Sequence, residues 1–213
     1  MTTTTHDTPN TRGATGAGGD SDPASPPFRI VTPFPTTPPL VTQALRDLAT
    51  VKTLAASLGG RDDTKTLEQL DAFGDIDCLP RPWEPATCTK AIRAQLWPWL
   101  DDVAAWINHQ YIWDAERAIP ECWPLHPRIA HELPVVACLR VTAVLDIVPD
   151  KLEDWHRYTL PMFIDRFTTD NHCQPGKHVP WSGTNRHQRF TEDPARDNRH
   201  RLFHLDTGPT LVP

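Results

Sequence analysis

Proline placement constrains this chain more than any other feature. It holds 23 prolines in 213 residues, and eight fall within the first 39. Proline fixes φ and has no N–H, so it interrupts a helix interior yet is tolerated in a first helical turn. The first 40 residues combine this proline load with Thr, Gly, Ser and Asp and few apolar side chains. Such a segment cannot bury enough apolar surface to offset the entropy of ordering, which predicts a disordered head over 1–40. The stretch Phe28-Arg29-Ile30-Val31-Thr32-Pro33-Phe34-Pro35 is its apolar exception. It reads as a sticky extended linker, with a motif that docks on a partner or on its own domain as the alternative.

Beyond the head, apolar periodicity takes over. Val41, Leu45, Leu48, Val51, Ala55 and Leu58 recur at three or four residues, the spacing of an amphipathic helix, and Gly59-Gly60 stops it. Leu67, Leu70 and Phe73 repeat the pattern briefly. This accessory segment, 41–74, is expected to dock on the main domain or to form a homodimer through 41–58. Pro80, Pro82 and Pro85 mark a linker over 75–86.

The main domain is expected over 87–180. Residues 89–96 predict one helix, and Pro98 starts another with Leu100, Val103, Ala104, Ile107 and Tyr111 on one stripe. His126-Pro127 opens the next, with Ile129, Leu133, Val136, Ala137, Arg140 and Val144 on one side and a kink at Pro134. The last starts at Asp150, where Glu153 suggests a capping box. Leu152, Trp155, Thr159, Phe163 and Arg166 line one face of it, and Pro161 bends it. No run alternates like a strand for more than four residues. The expected class is mostly α: a small kinked-helix bundle with a disordered N-terminal head and a loose C-terminal tail over 181–213.

Charge excludes little but weights the partners. Residues 1–80 carry 6 basic against 10 acidic groups, residues 81–185 carry 10 against 13, and residues 186–213 carry 5 against 4. No segment is strongly basic, which argues mildly against nucleic-acid binding. A DNA-binding face remains an alternative, centred on Arg117, Arg128, Arg140 and Arg157 with Trp97 and Trp113 as aromatic contacts. The Arg-His runs Arg186-His187-Gln188-Arg189 and Arg199-His200-Arg201 are offset by Glu192, Asp193, Asp197 and Asp206 and read as solvated. No run of 18 apolar residues predicts a membrane span. Met1–Asp7 lacks the basic and apolar regions of a secretory signal. With five cysteines, an odd number, this predicts a reducing cytoplasm with thiols or metal rather than disulfides.

One spacing carries chemistry. Cys122 and His126 form C-x3-H, and Cys173 and His178 form C-x4-H. Two sulfurs and two imidazoles make a closed tetrahedral set for structural zinc. The halves flank a helical hairpin, so a zinc there would tie the entry of one helix to the exit of the next. His131, His156 and His172 are rival ligands. Walker, GxGxxG, HExxH and GxSxG motifs are missing. His126, Glu132, Asp154 and His156 could be written as acid–base partners, and Cys122 with His126 as a nucleophile pair, but no spacing brings a catalytic set together. The expected function is therefore a non-catalytic interaction or accessory protein with an unknown protein partner. A DNA-binding accessory protein is one alternative; a metal-dependent hydrolase is another.

A family resemblance points the same way. Trp99-Leu100, Cys122-Trp123-Pro124-Leu125-His126, Leu133 to Arg140, Trp155 and Cys173 follow one another in that order. The stretch from Leu96 to Cys173 resembles a domain of unknown function common in actinobacterial plasmids, integrative elements and phages. That family has Trp-Cys where this chain has Cys122-Trp123, and a later His about where this chain has Thr159. The resemblance implies a mobile-element protein, which would set the DNA-binding alternative in plasmid transfer or replication, and it brings no activity with it.

Overall fold

The computed structural model describes residues 31–58, 63–170, 173, 176–180 and 183–207. Helices make up 73% of these and no strand is present among them, so the class is all-α. Chain contacts divide the molecule into Met1–Pro33 and Phe34–Pro213, and the structure below is that of the second unit. The expected disorder of 1–30, and the Phe28-Arg29-Ile30 part of the apolar stretch, lie outside the described residues.

Phe34 is docked on the domain rather than free. Its ring meets Trp106 edge-on at 5.0 Å between centroids and Trp99 at 6.3 Å. The Trp99 indole donates to the Pro35 carbonyl at 3.2 Å. The end of the expected head is thus a strap, because two indoles offer Phe34 an apolar seat that the sequence around it does not reveal.

Helix α1 (Pro39–Ser57) starts with proline at its first turn and buries Val41, Ala44 and Val51. It packs on α3, and α2 (Asp63–Asp71) packs on α1. Part of the expected apolar face, Val41 and Val51 on α1 and Leu70 on α2, is therefore used inside the chain, whereas Ala55, Leu58 and Leu67 of the same face are exposed. The supposed linker is also packed: Pro82 and Pro85 are buried, and Trp83 lies against the core.

Helix α3 (Lys90–Tyr111) is the central element. Thr89 caps it, its hydroxyl accepting the Ile92 N–H at 3.3 Å. It runs unbroken through Pro98, where two helices were expected. Pro98 and Ala94, whose carbonyl loses its helical partner, both face solvent. Water can satisfy that carbonyl, while buried Leu96, Trp99 and Leu100 hold the turn from the other side. Val103, Ala104 and Ile107 continue the predicted stripe into the core.

Helix α4 (Pro127–Val144) buries Ile129, Leu133, Val136 and Ala137 as expected, together with Pro134 and Cys138. Val144 is exposed. α5 (Asp150–Asp154), a π-helical turn (Trp155–Thr159) and α6 (Leu160–Asp170) follow without a gap. The expected capping box does not form: Pro149 is the N-cap and Glu153 lies beside Arg157 instead. The π turn ends just before Pro161, whose missing N–H makes an α-helical bond impossible there. Its extra residue rotates the phase of everything downstream. Leu160, Phe163, Ile164 and Phe167 face the core, and Arg166, expected on that face, points out to Glu132 at 2.8 Å.

Residues 184–207, expected to be aperiodic, form α7 (Thr184–Thr191) and α8 (Asp193–Thr207). Arg199 clips them together, its guanidinium 3.9 Å from the Phe190 ring centroid and bonded to the Phe190 carbonyl at 2.8 Å. Their described side chains are exposed apart from Ala195 and Arg199, so this region is helical yet solvated.

Candidate metal centre

The first half of the centre is a tight turn. Cys122 precedes a 3-10 turn, Trp123–Leu125, and His126 ends it. The Leu125 N–H donates to the Cys122 carbonyl at 2.9 Å, and the His126 N–H to the Trp123 carbonyl at 3.0 Å. Three intervening residues in this geometry return His126 to the side of Cys122. Buried Trp123 pins the turn, its indole donating to Asp101 on α3 at 2.9 Å. Pro127 then starts α4 at the position where proline costs least.

The second half is the loop after α6. Gly176 has φ of +69°, a left-handed conformation that favours glycine, and it turns the chain between Cys173 and His178. The Glu121 carboxylate accepts the Gly176 N–H at 2.7 Å, which ties this loop to the residue before Cys122. The Val179 N–H donates to the Cys173 sulfur at 3.1 Å. Glu121, Gly176 and Val179 were not singled out by sequence reasoning. Pro175-Gly176 is a turn signal that could have flagged one of them.

The two halves converge. Cys122 Sγ lies 3.3 Å from His126 Nε2, and Cys173 Sγ lies 3.2 Å from the same nitrogen and 3.6 Å from His178 Nδ1. All four ligand atoms lie within 4.8 Å of one another, and all four residues are half-buried. A tetrahedral zinc with Zn–S near 2.3 Å and Zn–N near 2.0 Å has S···N edges of about 3.5 Å. The observed separations therefore bracket one ion, and the Cys2His2 group lies within reach of it.

The electrostatics suit a cation. Burial, with Cys173 alongside, pushes the Cys122 thiol up. Burial and the neighbouring His178 hold the His126 imidazole below its usual range. A dication would deprotonate the thiols outright and bind the neutral imidazoles.

The rival histidines are elsewhere. His131 is exposed on α4, His156 sits on the π turn with its ring 5.9 Å from Tyr111, and His172 lies outside the described residues. Cys88 and Cys138 are buried core thiols, with burial pushing Cys138 up to about 12. Cys78 is exposed, 3.2 Å from Asp75 Oδ2.

The four arginines of the expected DNA face have separate duties. Arg117 pairs with Asp165 on α6. Arg128 donates to the Arg166 carbonyl at 3.0 Å. Arg157 lies 4.0 Å from Glu153 and over Tyr158. Arg140 is half-buried between the Phe34 and Trp155 rings, at 5.6 and 5.4 Å, and its Nε and Nη1 have no hydrogen-bond partner. Twelve residues apart on α4, Arg128 and Arg140 point about 120° away from each other and stand roughly 18 Å apart. Of the two tryptophans, Trp97 tilts against Trp123 at 6.2 Å, and Trp113 is 100% exposed. Glu132 pairs with Arg166, so the acid–base set written from sequence is not assembled around His126. No helix among the described residues is long and apolar enough to cross a membrane. Comparison with family models, with curated proteins and with solved structures finds no match to this chain.

Proposed function

We propose that this chain is a non-catalytic interaction or accessory module whose fold is closed by a structural zinc at Cys122, His126, Cys173 and His178. The observation that carries the reading is the convergence of four ligand atoms within 4.8 Å, from segments separated by 46 residues of chain. Two sulfurs and two imidazole nitrogens form a donor set that suits zinc. Four protein ligands fill a tetrahedral shell and leave no position for a reactive water, which separates this reading from a metal-dependent hydrolase. The metal would fasten the entry of α4 to the segment after α6. A domain of this size gains from such a staple. An accessory role in an actinobacterial mobile element is the setting implied by the resemblance of Leu96–Cys173, and a reducing cytoplasm would keep both thiols available as ligands.

The test is elemental mass spectrometry on protein purified without added metal, for the wild type and for Cys173→Ser. One zinc per chain in the wild type, lost in the variant together with thermal stability, is the expected result. Zinc lost with stability unchanged would favour the hydrolase. A folded wild type free of zinc would overturn the proposal.

A further inference from the structure

A second site stands where α3 ends. Tyr111, Trp113, Asp114, Arg117, His156 and Ile164 line a cleft of about 330 Å³. None of these is a metal ligand. The volume falls within the range of small-molecule sites, and the walls combine aromatic rings with a few polar groups. One wall is the π-helical turn, a distortion that recurs at functional sites and here supplies His156.

Each polar group retains bonding capacity. The Asp114 Oδ1 accepts the Glu116 N–H at 3.0 Å, which holds the side chain in place and leaves Oδ2 out of that bond. Arg117 bonds Asp165 through Nη2, and a guanidinium has five donors in a planar fork. Burial and the nearby Arg140 guanidinium hold the His156 imidazole below its usual range. At the rim, Trp113 is 100% exposed, a large apolar face for which the fold has no use.

We propose that this cleft binds a single unstacked guanine base. Guanine presents acceptors, O6 and N7, that match an arginine fork, and N–H donors on its other edge that match a carboxylate. Arg117 and Asp114 supply those complements three residues apart. Trp113 supplies a stacking platform, and Tyr111 and His156 line the wall opposite an apolar floor. Adenine offers an amino donor where guanine has O6, so it places a donor against the arginine. The base can come from a free nucleoside or from a single strand, and both share this chemistry.

The test is isothermal titration of the full chain as purified, with guanosine, with adenosine and with a dT oligonucleotide carrying one central dG. The expected result is saturable guanosine binding with Kd below about 1 mM and adenosine at least about tenfold weaker. Trp113→Ala should weaken guanosine by at least about fivefold with no change in Tm, because the indole is exposed. Asp114→Asn keeps the Oδ1 acceptor for Glu116 and should weaken guanosine by at least about fivefold while leaving adenosine nearly unchanged, because only guanine donates N–H groups to the carboxylate. An oligonucleotide that binds far tighter than guanosine identifies a strand as the source; equal affinity identifies the free nucleoside. Guanosine and oligonucleotide both failing to bind would overturn the proposal. So would equal binding of adenosine by the wild type, or affinity untouched by both substitutions.

Discussion

The two ends of α4 are held by different physics. Toward its C-terminal half, the Trp155 indole is 1% exposed, donates to the Val136 carbonyl at 2.9 Å and stacks against Arg140, which Phe34 covers from the other side. That end is cemented by apolar area and needs nothing from outside. At its N-terminus the chain assembles Cys122, His126, Cys173 and His178, all half-buried, with their ligand atoms within 4.8 Å of one another. Packing is enough where large rings can interdigitate. Where loops converge, the same job would fall to a handful of directed donor atoms around the proposed ion.

Breaking the packed end should have the largest effect. Trp155→Ala is expected to cost about 3–5 kcal/mol, through cavity formation and loss of the bond to Val136. Chemical denaturation would read this as a lower midpoint, with zinc content retained in the fraction that folds. The coordinated end comes next. Removing zinc with a strong chelator should cost roughly 3–4 kcal/mol, the linkage expected for a ligand at a hundred to a thousand times its Kd. Amide exchange should then quicken at Cys122–Ala130 and Cys173–Val179 before it quickens around Trp155. A uniform loss of protection across both ends would erase the comparison.

The strap is a smaller lever. Phe34→Ala removes one aromatic contact with Trp106 and one face of the Arg140 sandwich, and should cost about 1–2 kcal/mol. If Phe34 is an incidental contact, the midpoint will not move.

The smallest effect is acid sensitivity of the packed end. His156 has a folded-state pKa below its unfolded value, so the unfolded chain binds more protons. Its contribution is fully present above the unfolded value of about 6.5 and is lost as pH falls through the folded one. Stability of metal-free protein should therefore decline below that point, and His156→Gln should flatten the decline. A wild-type profile identical to that of the variant would remove His156 from the account.

Much of this was readable in order along the chain. The stripes on α1, α3 and the first half of α4 were legible because apolar spacing at three and four residues has one structural meaning. Pro127 marked its helix start because proline suits a first turn. Cys122, His126, Cys173 and His178 were legible because C-x3-H and C-x4-H place two ligands on each side of a hairpin. Pro98 was read as a break, yet α3 continues because its exposed side accepts an unpaired carbonyl. On α6, Phe163 is buried as its spacing predicts, while Arg166, expected on the same face, points out to Glu132. Arg140 lies between two rings, as its place on the apolar stripe of α4 predicts and a DNA face does not.

Local sequence, then, determined the helical class, the polar surface of the C-terminal segment and the two halves of the metal centre, since each depends on spacing within a few residues. Only the tertiary structure decided that the halves meet, that Phe34 folds back onto Trp99 and Trp106, and that Trp113, Asp114 and Arg117 line one cleft with His156. Those outcomes depend on how helices pack over distances of 40 residues and more, where the energy of a contact is set by which surface happens to lie opposite.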